Sequence, residues 1–314
     1  MAKKKKNLYQ TKPDKISFLQ CLLRLVIALV GGAVGAFALY HGMKFLAQGE
    51  LPKILRLLIT AIPFVVLFVA FIKKLNDKEF NIRYFTPAAE VDLCGHATIG
   101  SFVALADAGL VKAGEHYTNH TLAGTIGIDV GEGSVLMDMA VPQYINEIAT
   151  AEGQKELYEI MGLSAEGQGE VEGQYLIPEM ISTGLPDIMM PVKNEEELAK
   201  IAPDFPALAK LSERYEVVGV HAFTVNTEDG AVHCRNFAPL YDIDEEAATG
   251  TSNGALTYYL YRKNIVKPGV ENAFIQGEAM DRPSKINSKL TEDGGVKVQV
   301  GGNGVLLAKG DINI

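Results

Sequence analysis

Two long apolar stretches dominate the front of the chain. Residues 25–43 (LVIALVGGAVGAFALYHGM) run nineteen positions without Lys, Arg, Asp or Glu, and residues 57–72 (LLITAIPFVVLFVAFI) run sixteen. The second reaches nineteen if it starts at Ile54 and Arg56 snorkels. A membrane-crossing helix needs about 20 apolar residues, so this pattern predicts a hairpin of two transmembrane helices. Pro63 is tolerated in such a helix, and Gly31, Gly32 and Gly35 let two helices approach closely. Beyond residue 78 the long runs stop. Short apolar runs alternate with glycines and polar clusters, as in a globular domain.

That body contains a repeat. Residues 80–102 read FNIRYFTPAAEVDLCGHATIGSF and residues 232–257 read VHCRNFAPLYDIDEEAATGTSNGALT. Arg83, Phe85 and Pro87 align with Arg235, Phe237 and Pro239 at an offset of 152. Glu90 and Gly95 align with Glu245 and Gly250 at an offset of 155. Each copy predicts a strand ended by proline, a polar loop, a glycine and then a helix, over residues 97–108 and 252–261. The first N–H groups of a helix lack internal partners and favour negative charge. Two such ends predict a grip on a small anion. The loops bring Asp92, His96, Asp244, Glu245 and Glu246 to the same place as candidate acids and bases.

Charge divides the chain in the same way. Residues 1–78 carry 13 basic and 3 acidic side chains, residues 79–314 carry 16 and 35. The acidic body argues against nucleic acid, and the basic, apolar front argues for a membrane. Lysines and Arg24 before the first span, with Lys73, Lys74 and Lys78 after the second, predict both termini and the body in the cytoplasm, at the cytoplasmic membrane. A cleaved leader ending near Ala36-Phe37-Ala38 and a buried core hairpin are the competing explanations of the apolar front. Three cysteines rule out a disulfide framework and a four-thiolate zinc site within one chain. His116 and His120 lie four apart, but without a HExxH glutamate they predict a solvated loop and no metal site. The glycines at 131 and 133, at 294 and 295, and at 301, 302 and 304 predict turns, and residues 193–200 an exposed helix. Arg83 and Arg235 suit either carboxylate binding or a structural role.

Six phrases carry a resemblance: residues 83–101 (RYFTPAAEVDLCGHATIGS), 182–191 (STGLPDIMMP), 218–224 (VGVHAFT), 235–239 (RNFAP), 248–255 (ATGTSNGA) and 276–284 (QGEAMDRPS). Together they resemble the PhzF-like family, named for phenazine biosynthesis, within the diaminopimelate epimerase-like fold. The resemblance implies an α+β fold with two pseudo-symmetric lobes, each a mixed sheet curled around a central helix. It also implies proton transfer between carbons of a small carboxylated metabolite, without metal or organic cofactor. By position, His96 and Glu246 are the implied catalytic residues, and Gly95, Gly250 and Thr251 the implied substrate-binding ones. The family more often has Asp where Glu246 stands and Ser where Thr251 stands. Racemases of this fold that use two thiols place cysteine before each helix-start glycine. Here Cys94 precedes Gly95 but Thr249 precedes Gly250, so that mechanism is excluded. Cys94 and Cys234 are expected to be packed and inert.

One family phrase is missing. Members begin with a strand, a Gly-Asn-Pro turn and a helix that leads to Ser/Asn-Glu-Thr-x-Phe, whose glutamate is the principal proton carrier. No such phrase occurs here. The resulting division is a membrane hairpin at 1–78, the rest of an incomplete first lobe at 79–140, and a second lobe at 141–314 whose last strands return to the first. The expected function is a PhzF-like isomerase impaired by loss of that glutamate; the alternative is a non-catalytic, membrane-tethered binding or scaffold protein. Expected partners are a small carboxylated metabolite and the membrane through residues 25–72, with no nucleic acid and a homodimer as candidate assembly.

Overall fold

The repeated phrases fold into the same elements twice. The computed structural model describes residues 69–85 and 90–306. The first unit comprises β1 (Val69–Lys74), β2 (Glu79–Phe85), β3 (Glu90–Val91), helix α1 (Gly95–Asp107), β4 (Glu115–Thr121), β5 (Gly124–Val130) and β6 (Val135–Asp138). A middle region follows: β7 (Gln143–Glu147), α2 (Ala151–Ile160), β8 (Glu170–Val171), β9 (Gln174–Tyr175), β10 (Glu179–Ser182), β11 (Pro186–Pro191), α3 (Glu195–Lys200) and α4 (Phe205–Tyr215). The second unit runs β12 (Gly219–Thr224), β13 (Val232–Ala238), β14 (Ile243–Glu246), α5 (Gly250–Arg262), β15 (Glu271–Gln276), β16 (Ser284–Thr291) and β17 (Lys297–Gly302).

One mixed sheet joins fifteen of these strands in the order β1-β2-β4-β5-β6-β17-β16-β15-β13-β12-β11-β10-β7, with β3 on β2 and β14 on β13. The pairing repeats. β2 is parallel to β4 as β13 is to β15, and each pair continues into two antiparallel strands. The units meet where β6 pairs antiparallel with β17, with Met137 opposite Val300. Strand period drives the pairing. In β2, Phe80, Ile82 and Tyr84 point inward and are fully buried, alternating with partly or fully exposed positions. Those three side chains and Phe102 of α1 anchor the first-unit core; α5 and the strands around it form a second core, and α2 and α4 cover a third.

The two repeated helices differ in cover. α5 is buried on every side, from Ser252 through Thr257 and again at Tyr259 and Leu260. α1 is buried along one face, at Thr98, Ser101, Phe102 and Leu105. The middle region supplies the difference, because α5 packs on β10 and β11 as well as on β16 and β17. Before β2, only β1 is found among the described residues.

Three expectations are corrected. The first predicted membrane helix and the second up to residue 68 lie outside the described residues. The end of the second, residues 69–72, is strand β1, with Ala70 packed against the first-unit core. A short apolar run serves a sheet next to α1 as well as it serves a helix, and among the described residues no helix is long and apolar enough to cross a membrane. The His116–His120 stretch is strand β4 and not a loop. Tyr117 and Asn119 point inward, and His116 Nδ1 lies 2.6 Å from Asp129 on the neighbouring strand. Gly301 and Gly302 are strand residues of β17, needed because a Cβ on Gly301 would lie 1.8 Å from the Val135 carbonyl oxygen.

Candidate active site

The helices of the middle region are capped by side chains. Thr150, Asn194 and Asp204 accept from the first turns of α2, α3 and α4. α1 and α5 are not: Cys94 and Thr249 stand at their N-caps without making a cap hydrogen bond. Both helices begin at glycine, and both glycines abut the seam between the units. A Cβ on Gly95 would lie 3.5 Å from Met137 Cε, and one on Gly250 3.9 Å from Val300 Cγ1. Met137 and Val300 are cross-strand partners, so the two uncapped, positively polarised helix ends face one small region.

Each unit braces its loop identically. Arg83 forks onto Glu90 (2.6 and 2.5 Å) and Arg235 onto Glu245 (2.9 and 2.7 Å). Arg235 also donates to the carbonyls of Leu198 and Ile201. Both guanidinium groups are thus paired with a carboxylate of their own unit. Arg83 holds the Glu90 carboxyl below the usual range through that hydrogen bond.

The site residues are not equivalent across the units. Glu246 is half-buried and accepts from the Thr249 hydroxyl at 2.6 Å. Thr251 is half-buried, its carbonyl accepts from Thr183 Oγ1 at 2.8 Å, and its methyl group faces Gly184. His96 is exposed at the second position of α1, and its side chain hydrogen-bonds to no described residue. The structure thus sets Gly95 and Gly250 beside the seam, with Glu246 held by Thr249 and Thr251 by Thr183 at the start of α5. No hydrogen bond links His96 to Glu246 among the described residues. Asp92 and Asp244 are exposed. Cys94 is half-buried, and burial pushes the Cys234 thiol far up, leaving it protonated.

Beneath α5 lies a polar layer whose roles the sequence did not reveal. Ser252 donates to the buried Asp187 carboxylate at 2.5 Å. Burial, with a smaller push from the Glu246 charge, lifts Asp187 to about 6, against the Ser252 hydroxyl and Gly219 N–H that lower it. His221 is fully buried with Nδ1 3.0 Å from Asn236 Oδ1, and burial depresses it to about 4. Gln276 and Asn253 complete the layer. These contacts join residues 15 to 65 positions apart, so the only signal was their place within the quoted phrases. Among the described residues, no group of His, Cys, Asp or Glu is arranged to hold a metal ion. A cavity of about 310 Å³ beside Leu198, His233, Arg235 and Glu278 lies away from both glycines. Its basic side chains are already engaged, His233 with Glu278 and Arg235 with Glu245.

A mixed sheet with a duplicated strand–loop–helix unit and two uncapped helix ends at the join defines an epimerase-like α+β protein. Residues 66–310 match the family described as phenazine biosynthesis-like protein, and the chain belongs to it. It is 34% identical over 242 residues to an uncharacterized isomerase of Deinococcus radiodurans, covering 74% of this chain and 76% of that one. It is 30% identical over 257 residues to the trans-2,3-dihydro-3-hydroxyanthranilate isomerase of Pseudomonas fluorescens, covering 77% and 82%. The PhzF-family protein of Bacillus anthracis superposes with a TM-score of 0.62 at 24% identity, over 75% of this chain and 81% of that one. A PhzF-family protein of Enterococcus faecalis gives 0.56 at 25% identity, over 84% and 89%.

Proposed function

We propose that this chain is a cofactor-independent isomerase that moves a proton between carbons of a small carboxylated metabolite. The observation that carries this is the meeting of two uncapped helix N-termini at the β6–β17 seam, where the N–H groups of α1 and α5 suit a carboxylate. Gly95, Gly250 and Thr251 would bind that group, while Glu246 and His96 act as acid and base from the two units. A glycine at each helix start keeps side chains away from the anion. Several relatives are named isomerases, and one bears the name of a carboxylate substrate.

The test uses trans-2,3-dihydro-3-hydroxyanthranilate as probe. Full-length chain incubated with it in D₂O is expected to place deuterium on a ring carbon, and Glu246→Gln to abolish this. Binding without deuterium incorporation would sink the catalytic role. That outcome would favour a second reading, a non-catalytic binding module, motivated by the missing Ser/Asn-Glu-Thr-x-Phe phrase. Membrane attachment through the uncharged residues 25–43 is a separate proposal; carbonate-resistant sedimentation with vesicles supports it, and release by carbonate defeats it.

A further inference from the structure

Thr249 stands where a threonine hydroxyl ordinarily caps its own helix. It forgoes that cap and donates to Glu246 Oε2 at 2.6 Å instead. The direction of this bond is fixed by Gln276, which is fully buried and uses all its polar positions. Its Nε2 donates to the Glu246 carbonyl at 2.6 Å and to Thr249 Oγ1 at 3.0 Å. Its Oε1 accepts from Thr249 N–H at 3.2 Å and from Asn253 Nδ2 at 2.8 Å. Flipping the amide would set two oxygens against each other at the Glu246 carbonyl. Since the Thr249 oxygen already accepts from Gln276, its single proton is directed to Glu246. Asn253 braces the arrangement by donating to the Thr249 carbonyl at 2.8 Å.

We propose that Thr249 is a positioning residue that aims the Glu246 carboxylate, locked in its donor orientation by Gln276 and Asn253. The first-turn N–H groups that it leaves uncapped remain open to the substrate anion. The device belongs to the second unit alone: at the 155-residue offset, Cys94 occupies the place of Thr249 and Val91 that of Glu246. This rests on Glu246 being the acid–base group of its unit.

The experiment compares Thr249→Val, which keeps the shape without the hydroxyl, with Thr249→Ser, which keeps the hydroxyl. In crystal structures of the two variants, the Glu246 carboxylate is expected to leave its wild-type position in T249V and to hold it in T249S. In the deuterium assay, T249V is expected to lose about tenfold or more in kcat with KM within about twofold, and T249S to stay near wild type. An unmoved Glu246 in T249V, with kcat intact, overturns the proposal. If the wild-type chain shows no deuterium incorporation, the isomerase reading fails by itself, and the two crystal structures still decide the role of Thr249.

Discussion

Arg83 and Arg235 make the same fork, but their surroundings set different energies. The Arg235–Glu245 pair is 11% and 15% exposed; Arg83 is 53% exposed and Glu90 23%. Exposed pairs contribute about 0–1 kcal/mol, whereas breaking a buried one costs several. Glu245→Gln is therefore expected to cost about 3 kcal/mol in guanidinium unfolding, and Glu90→Gln under about 1 kcal/mol. Two buried groups under α5 give a second test. His221 has an ordinary value of 6.5 and a folded one of about 4, so its contribution is full above pH 6.5 and is lost as pH falls toward 4. Asp187 is raised from 3.8 to about 6, so its contribution is full below pH 3.8 and is lost as pH rises through 6. Each is worth roughly 3 kcal/mol, with opposite sign over an overlapping window. The wild-type chain should show a nearly level stability between pH 6 and 4. Asp187→Asn should uncover a loss on acidification, and His221→Gln a gain, as read from unfolding midpoints.

At the scale of elements, the glycines of α1 and α5 separate packing from propensity. A Cβ on Gly100, inside α1, meets no atom within 4 Å, while one on Gly254 would lie 2.7 Å from Thr183 Oγ1 and 3.2 Å from Val300. Gly100→Ala is expected to raise stability by about 0.5–1 kcal/mol, because alanine is the better helix former. Gly254→Ala is expected to lower it by about 1–3 kcal/mol through overpacking, and to displace Thr183 from the Thr251 carbonyl. Thermal unfolding of the two variants reads both. The repeated elements were legible in the sequence because their markers are local: an arginine, a carboxylate and a glycine at nearly constant spacing. Strand β1 was not, since VAFIKK is apolar at its start and merges with the run before it. Strand β4 was hidden by its polar inward side chain, Asn119, which is buried against Tyr84. The layer of Asp187, His221, Asn253 and Gln276 escaped for another reason: its meaning arises only when β11, β12, β15 and α5 stack.

Across the whole molecule, the seam between β6 and β17 is what joins the two units into one sheet. Gly301 allows this close approach, so Gly301→Ala is expected to destabilise the body by more than about 3 kcal/mol in guanidinium unfolding. A variant that keeps wild-type stability would show that the units hold together without the seam. Register there is discrete. Keeping the same side chains inward, β17 can slip past β6 only in two-residue steps, each about 6.8 Å. The distance between the uncapped starts of α1 and α5 is thus a fixed gauge, cut in backbone, that side-chain substitution can hardly retune. Under the proposed isomerase reading, adapting to longer or shorter molecules would fall to side chains such as Thr183 and His96, leaving the gauge itself untouched.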